Sequence, residues 1–157
     1  MVGEAFTLRR ATVEDIDLLV ELRDAMWREI AEGTELGDVS EALGNTREYF
    51  EVAVPSGDYV CVLAEAQSQV VGVGGIVIYR KPAQPLSPVG VEGYILNMLT
   101  VSEWRGKGVA SAIVERLLDC AREAGAGLVW LRATEQGRPV YERFGFAQNP
   151  RYMQVKL

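Results

Sequence analysis

The residues best suited to chemistry in this sequence lie in one run, residues 105–111, which mixes glycine with positive charge. An apolar stretch precedes the run and a helical pattern follows it. The first turn of a helix leaves backbone N–H groups unpaired, and the helix dipole makes that end positive. Gly106 and Gly108 leave those amides open to an anion, while Arg105 and Lys107 add charge. The run therefore predicts an anion-binding loop suited to a diphosphate.

Spacing separates this run from two other nucleotide-binding motifs. A Walker loop requires Ser or Thr after its Gly-Lys pair, where this chain has Gly108. A dinucleotide fingerprint requires a third glycine or alanine where the chain has Ser111. What remains is Arg105, two residues, Gly108, one residue, Ala110. Taken alone, that pattern also fits a glycine-rich strand-to-helix turn that holds no ligand.

Two apolar stretches and a helix between them are expected to position this loop. Residues 94–101 form a short apolar run bounded by turn residues, which favours a buried strand, and residues 128–133 favour another. Between them, apolar side chains from Ala110 to Ala121 recur at helical spacing and form one stripe. Strands joined through a helix should run parallel, by a right-handed crossover.

The N-terminal third predicts two helices. Thr12, with Asp15 three residues on, is expected to cap a first helix that runs to about Glu32. Asp38 or Ser40 is expected to cap a second, which ends at a Pro-Ser-Gly turn.

Strand patterns complete the predicted order. Residues 59–65 and 70–79 favour an antiparallel hairpin, and Pro139 favours the start of a short helix. Further strands are expected at residues 6–11, at Phe146 and at residues 153–157. The predicted order is β-α-α-β-β-β-α-β-α-β-β, in one domain that spans residues 1–157.

Composition excludes several classes of function. The chain has no histidine, which removes Ser-His-Asp and Cys-His catalysis and the commonest transition-metal ligand, so we expect no metal. Cys61 and Cys120 lie in apolar patterns, and two such cysteines favour a reducing, cytoplasmic setting. No apolar run approaches ~18 residues and no signal peptide is visible, so we expect a soluble protein without a membrane segment.

Charge is distributed unevenly along the chain. The net charge is −6, but residues 1–66 hold 15 acidic and 5 basic side chains, whereas residues 67–157 hold 7 acidic and 11 basic ones. This asymmetry favours an anion bound by the C-terminal part and a cation met by the N-terminal part, although solvated helix faces explain acidic residues equally well. A nucleic-acid surface is disfavoured.

Two motifs at this separation resemble one known family. Arg105-x-x-Gly108-x-Ala110 is similar to the Arg/Gln-x-x-Gly-x-Gly/Ala motif of GCN5-related N-acetyltransferases (GNAT), and residues 139–146 resemble the tyrosine helix of that family, which ends in Gly-Phe. The motifs cover about residues 92–146, and the element order agrees before that. The resemblance implies an α+β fold, a three-layer α/β/α sandwich with four helices. Its mixed, mostly antiparallel sheet would have about seven strands and a splayed, parallel central pair.

The resemblance also implies acetyl-coenzyme A as cosubstrate. The pantetheine arm would pair with the backbone of the fourth strand, and the phosphates would sit on the glycine-rich loop. A further contact is implied at the end of the fifth strand, near Thr134. The implied cofactor-binding residues are Met98, Leu99, Val101, Arg105, Gly106, Lys107, Gly108, Val109, Ala110, Ser111 and Thr134.

The reaction that the family implies is attack of a primary amine on the acetyl thioester. The amine must first lose a proton, and without histidine Glu92 is the best candidate base, directly or through a water, unless it is a loop carboxylate of no consequence. The backbone near Leu99 would stabilise the oxyanion. Tyr141 would face the departing thiolate, and because a phenol is a weaker acid than a thiol, hydrogen bonding is the role we favour over full proton transfer. A packed aromatic is the alternative for Tyr141.

The acceptor side is predicted from fewer signals. Trp27, Glu29, Glu32 and Glu35 lie around the end of the first helix, the family's variable substrate wall, where a cationic amine would suit the carboxylates. A solvated helix face explains each of them singly. Asn97, an amide in an apolar strand, would either bind substrate or accommodate a bulge.

These patterns together predict an N-acetyltransferase that acts on a small-molecule or peptide amine by direct attack in a ternary complex. A catalytically idle coenzyme A-binding or regulatory module on the same fold is the alternative. A transferase for longer acyl chains or alcohol acceptors is a third hypothesis. The resemblance leaves open whether the chain forms a homodimer, as is common in the fold.

Overall fold

A computed structural model describes residues 5–31 and 35–157. The strands are β1 (Thr7–Arg10), β2 (Tyr59–Ala66), β3 (Gln69–Arg80), β4 (Val91–Thr100) and β5 (Leu128–Leu131), and the helices are α1 (Ile16–Ala31), α2 (Ser40–Ser56), α3 (Val109–Glu123) and α4 (Arg138–Glu142). The strands lie side by side in chain order, antiparallel except for the parallel pair of β4 and β5. The predicted mixed, mostly antiparallel sheet with four helices is confirmed.

Helices cover both faces of this sheet. Helices α1 and α2 enclose one core, and α3 encloses the other, so β2 and β3 are buried on both faces and read as nearly continuous apolar runs. The first core contains Ile16, Leu19, Phe50, Ala53, Tyr59, Cys61, Leu63 and Val73. The second is centred on Val62, Ile76, Ile95, Val109, Ile113 and Leu117.

The entry to α1 follows the predicted capping pattern. Thr12 caps a 3₁₀ turn (Val13–Asp15) that leads into the helix, and its hydroxyl accepts a hydrogen bond from the Glu14 amide at 3.3 Å. The Asp15 carboxylate in return accepts from the Thr12 amide at 2.7 Å. The two bonds satisfy amides that the helix itself cannot. The predicted helix end at Glu32 lies outside the described residues.

Within residues 5–31 and 35–157 the sheet has five strands rather than about seven. Phe146 and residues 153–157, predicted as final short strands, are not in strands. The side chain of Met153 is 96% exposed, and Val155 and Leu157 are exposed as well. A strand needs a neighbour for its hydrogen bonds and a buried face for its side chains, and this tail has neither within the described residues. The prediction of strands at Phe146 and at residues 153–157 is therefore wrong.

A bulge interrupts β4 at Asn97. This residue has φ +58°, in the left-handed region that only short polar side chains and glycine adopt readily. The pairing with β3 slips at the same point: Gly75 faces Leu96 while Val73 faces Leu99, so two residues of β4 oppose one of β3. The bulge interpretation of Asn97 is confirmed. Pairing with β5 ends just before it, at Ile95, so the two strands separate beyond that point.

The Tyr59 side chain supports this bulge from the α1–α2 side. Its hydroxyl accepts a hydrogen bond of 2.8 Å from the side-chain amide of Asn97. The hydroxyl lies directly over Gly75, where an added Cβ would sit only 2.1 Å from the phenolic oxygen. A glycine at this position is therefore required for the tyrosine to reach the bulge.

We expect Gly75→Ala to destabilise the protein by roughly 1–3 kcal/mol, because the new methyl group displaces a fully buried ring. Gly44→Ala is the control. Gly44 lies in α2 with no atom within 4 Å of an added Cβ, so that change should stabilise the protein by about 0.5–1 kcal/mol. Urea denaturation of both variants measures the difference. Equal free energies of unfolding for Gly75→Ala and the wild type would show that Tyr59 is not held as described.

Candidate active site

The separated ends of β4 and β5 open into a cleft of about 480 Å³. Its walls come from the end of β4, the following loop, the start of α3, the segment around α4, and the C-terminal part of α1. Eleven of the residues predicted for the site line it: Glu29, Met98, Leu99, Arg105, Gly106, Gly108, Val109, Ala110, Ser111, Thr134 and Tyr141. The volume suits an extended small-molecule arm.

One end of the cleft is formed by the glycine-rich loop. Gly106 and Gly108 have φ of +73° and +85°, and an added Cβ at either position would meet no atom within 4 Å. Gly108 caps α3, and the first hydrogen bond of that helix joins the Ala112 amide to the Gly108 carbonyl at 3.0 Å. The amides of the first turn before Ala112 thus have no acceptor within the helix. The loop and the helix end have the form that an anion requires.

Arg105 joins the loop to α1. Its Nε donates to the Thr100 carbonyl at 3.0 Å, and its Nη2 forms an ion pair with the Glu29 carboxylate. Both side chains are partly exposed, so the pair is of the kind that contributes little to stability and exchanges readily. Arg105 can therefore leave Glu29 for a phosphate group at small cost.

Two predicted cofactor residues lie outside the cleft lining. Lys107 places its Nζ 5.0 Å from the ring centroid of Trp104, a cation–π arrangement beside the loop. The Val101 amide donates to the Val71 carbonyl at 3.1 Å, and its side chain packs on the α3 core. Val101 thus continues the contact with β3 and does not face the gap.

Tyr141 is part of the cleft wall. Its ring is buried against Phe146, with the ring planes 72° apart, whereas its hydroxyl has no hydrogen-bond partner among the described residues. Burial raises the pKa of this phenol. The side chain is therefore a neutral hydrogen-bond donor at physiological pH, and it is available to a bound molecule.

Thr134 helps to position Tyr141. It lies just after β5, where its hydroxyl accepts from the Gly137 amide at 3.1 Å and its carbonyl from the Arg138 amide at 3.0 Å. These bonds fix the turn before α4. An added Cβ at Gly137 would come within 3.2 Å of the Tyr141 ring, so the turn packs closely on the tyrosine.

Glu92 does not belong to this cleft. It lies at the other end of β4, and its side chain is only 2% exposed. It accepts hydrogen bonds from Tyr79 at 2.9 Å and Gln84 at 3.1 Å, and pairs with Lys81 at 3.0 Å. Leu99 is seven residues further along the strand, which corresponds to about 20 Å. The structure thus separates the predicted base from the predicted acetyl position, and its contacts are those of a structural carboxylate.

The partners of Glu92 also set its charge. Burial by itself would raise the pKa of the carboxyl group, but the hydrogen bonds from Lys81 and Tyr79 and the charge of Lys81 outweigh that effect. The pKa of Glu92 is consequently lowered. The ionised carboxylate therefore stabilises the folded state, and it is a poor proton acceptor.

The predicted acceptor residues divide between the cleft and its surroundings. Glu29 lines the cleft, whereas Trp27 and Asn97 lie beside it and both contact Arg23. Arg23 was missed by sequence reasoning. It occupies the turn of α1 before Trp27, and a lone arginine in a predicted helix gives no signal of its own. Glu35 is exposed, and Glu32 lies outside the described residues.

Neither cysteine lies in the cleft. Cys61 and Cys120 are both buried thiols, and burial raises the pKa of Cys61 to about 12. Residues 5–31 and 35–157 contain no group of three or more acidic, cysteine or histidine side chains arranged to hold a metal ion. No helix in the same residues has the length and hydrophobicity needed to cross a membrane.

Comparison with known proteins assigns the chain and its fold to one family. The sequence profile of the Acetyltransferase (GNAT) family matches residues 19–146. The chain belongs to this family. The match spans α1 to α4 and includes the glycine-rich loop and the helix of Tyr141.

Relatives and solved structures agree with this assignment. The GNAT chain is 27% identical over 153 residues to glucosamine 6-phosphate N-acetyltransferase of Arabidopsis thaliana, covering 93% of each chain. It is 28% identical over 104 residues to probable glucosamine 6-phosphate N-acetyltransferase 2 of rice, covering 64% of this chain but only 61% of the rice protein. A predicted acetyltransferase from Clostridium acetobutylicum, solved with acetyl-CoA, superposes with a TM-score of 0.86 at 29% identity and 97% and 96% coverage.

We expect Glu92→Gln to lower the free energy of unfolding by about 1–3 kcal/mol at pH 7, because a buried, hydrogen-bonded charge is lost. Glu65→Gln, which removes a more exposed strand carboxylate paired with Arg9, should cost less. Since the folded-state pKa of Glu92 is lowered, its contribution is present above the ordinary value near ~4.3 and disappears as the pH falls through the lowered pKa. Denaturation at several pH values tests this. A large loss of turnover without loss of stability would restore Glu92 as a base.

We expect Gly108→Ala to weaken acetyl-CoA binding at least tenfold, because the new methyl group projects into open space beside the first turn of α3. Gly125→Ala is a matched control, since Gly125 ends the same helix with φ +77° and equally open surroundings. Both changes strain a left-handed residue and should cost a similar ~1–2 kcal/mol of stability. Calorimetry and denaturation compare them. Equal acetyl-CoA affinities in the two variants would show that the loop does not hold the phosphates.

Proposed function

We propose that this chain transfers an acetyl group from acetyl-CoA to a primary amine of a small molecule, by direct attack in a ternary complex. The observation that carries the proposal is the cleft itself. Its lining contains both an anion-suited loop and Tyr141, whose hydroxyl has no partner among the described residues. An ordinary structural tyrosine with a buried ring would have its hydroxyl satisfied by the protein.

The residues that line the cleft fit the parts of acetyl-CoA in order. Gly106, Gly108 and the first turn of α3 would hold the pyrophosphate, with Arg105 released from Glu29 to reach it. The edge of β4 that has parted from β5 offers backbone groups of Met98 and Leu99 to the amide-rich pantetheine arm. Bound in this way, acetyl-CoA supplies the activated acyl group.

The acid and base roles follow from what the cleft contains. The attacking amine has to arrive without its proton, and Glu29 is the one carboxylate among the described cleft residues. Glu29 contacts Arg105 of the glycine-rich loop, so we assign it to the phosphate end of the cleft and propose that the proton leaves to solvent, without a dedicated side-chain base. The backbone near Leu99 would stabilise the oxyanion, and Tyr141 would donate a hydrogen bond to the departing thiolate.

A route through an acetylated cysteine is disfavoured. Both thiols are buried outside the cleft, and the raised pKa of Cys61 leaves almost none of the nucleophilic thiolate near neutral pH. The acetyl group would therefore pass directly from the thioester sulfur to the amine nitrogen, and free coenzyme A would leave as the thiol.

The acceptor is the open part of this proposal. The plant relatives are named for glucosamine 6-phosphate, a small molecule in which an amine and a phosphate lie in one compound. At 27–28% identity, the names of these relatives indicate which acceptors to test first. We therefore propose amino sugars and other small amines as the first acceptor classes to screen, with peptide amines as the comparison.

We expect Tyr141→Phe to reduce kcat roughly 10- to 100-fold with little change in acetyl-CoA affinity, because one hydrogen bond to a developing thiolate is lost while the ring remains. Thiol release across a panel of amines, with calorimetry of acetyl-CoA, measures both quantities. Tyr152→Phe, at an exposed tyrosine, serves as the control.

The outcomes separate the alternatives. Tight acetyl-CoA binding without thiol release on any amine would identify a catalytically idle module. An absence of acetyl-CoA binding at high micromolar concentration would overturn the proposed function itself. Full activity in Tyr141→Phe would remove the tyrosine from the mechanism but not the cofactor from the cleft.

A further inference from the structure

Arg23 is a half-buried cation on the sheet-facing side of α1, and no described carboxylate lies within salt-bridge distance of it. Its Nη1 donates to the side-chain oxygen of Asn97, and its guanidinium carbon lies 4.8 Å from the Trp27 ring centroid. Its Nε is buried without a hydrogen-bond partner. Neutral groups thus account for all of its described contacts.

This arrangement is costly for an arginine. A buried charge is ordinarily paired, because desolvation penalises it by several kcal/mol. Burial lowers the pKa of the Arg23 guanidinium, which reports the same penalty. The adjacent Asp24 does not pair with it, since one oxygen of that carboxylate pairs with Arg28 at 3.0 Å and the other is buried without a hydrogen-bond partner. Arg9, by contrast, holds two carboxylates at 2.8 Å.

The position of Arg23 relates it to the cleft. Met26, three residues later on the same face of α1, lines the cleft, and so does Met98, which directly follows Asn97. Going back along β4 from Thr100 to Asn97 covers about 10 Å, away from the glycine-rich loop. Arg23 therefore lies beyond the acyl end of the cleft, on the side from which an acceptor would approach.

We propose that the acceptor is an amine that also carries an oxyanion, a carboxylate or a phosphate, and that Arg23 binds this oxyanion. The proposal rests on the proposed function, whose acceptor class it specifies. A guanidinium fork presents paired N–H donors to two oxygens of one carboxylate or phosphate. The oxyanion would accept hydrogen bonds from the Arg23 guanidinium, either in place of the Asn97 side-chain oxygen or together with it. The cation–π contact with the Trp27 ring would keep the guanidinium group in its orientation. A purely cationic amine would meet this uncompensated positive charge and bind poorly.

The first test compares matched acceptors in the thiol-release assay. Ethanolamine phosphate is set against ethanolamine, and β-alanine against its amide, together with any acceptor found in the wider amine screen and its neutralised analogue. We expect the oxyanion form to have the higher kcat/KM in at least one pair, mostly through KM. The pair that responds tells phosphate from carboxylate. Equal kcat/KM within every pair overturns the proposal and leaves the proposed function standing.

Variants of Arg23 distinguish two roles for this residue, which are binding of the acceptor's oxyanion and support of the bulge at Asn97. Arg23→Gln should lose roughly 10- to 100-fold in kcat/KM for the oxyanion acceptor and little for the neutral one, while Arg23→Lys recovers part of the loss. Arg47→Gln, which removes a partly exposed charge on α2 that is not part of the cleft lining, should behave as the wild type. If Arg23→Gln lowers kcat/KM equally for both acceptor forms, Arg23 only supports Asn97 and the proposal is wrong.

A binding measurement does not depend on turnover. Arginine Nε–Hε signals of the protein saturated with coenzyme A are titrated with inorganic phosphate and with acetate, and Arg23 is assigned from its missing signal in Arg23→Gln. Saturation with coenzyme A fills the glycine-rich loop. A saturable shift of the Arg23 signal supports the proposal, and no shift at millimolar anion overturns it. Failure of coenzyme A itself to bind would instead count against the proposed function.

Discussion

The bulge at Asn97 is the constraint on which the cleft depends. A parallel pair of strands has no reason to separate while its hydrogen-bond ladder continues. Here the ladder between β4 and β5 stops at Ile95, and the left-handed residue two positions later turns the rest of β4 away. The separation creates a strand edge whose backbone groups need new partners, and a bound molecule can supply them. The bulge thus leaves a strand edge that can serve as a binding surface.

The side chains that support this bulge lie on the face of the sheet covered by α1 and α2. The side-chain amide of Asn97 donates to Tyr59, which lies over Gly75, and its oxygen accepts from Arg23. Hydrogen bonds to β2 and α1 hold a backbone conformation that is unfavourable by itself. Because one of those partners is a cation that a ligand could recruit, acceptor binding and the shape of the acyl end are physically connected.

Local patterns explain why much of the molecule could be predicted from sequence. The capping pair of Thr12 and Asp15, the helical stripe of α3 and the glycine loop each depend on neighbours within a few residues, and all three appear where expected. The predicted final strands are wrong, because a strand at residues 153–157 depends on a partner edge elsewhere in the fold, which the local sequence does not reveal.

The site residues also divide into those predicted from local motifs and those whose position depends on tertiary structure. Arg105, Gly108 and Tyr141 belong to contiguous motifs, and the fold brings them to one cleft. Glu92 was chosen by elimination, as a carboxylate close to the start of the predicted fourth strand. In the structure, seven residues of extended chain separate it from Leu99. Arg23 could be recognised as a candidate site residue only from the structure, because the burial of an arginine without a carboxylate partner is a property of tertiary packing.

Tyr141 also determines what a pH–rate profile of this protein would report. The chain contains no histidine, the side chain whose charge ordinarily changes near neutrality, and burial keeps the phenol protonated. If no cleft residue accepts the amine's proton, the species that changes with pH is the acceptor. The rising limb of turnover would then follow the acidity of each amine tested, and would move from one substrate to the next while the enzyme stayed the same.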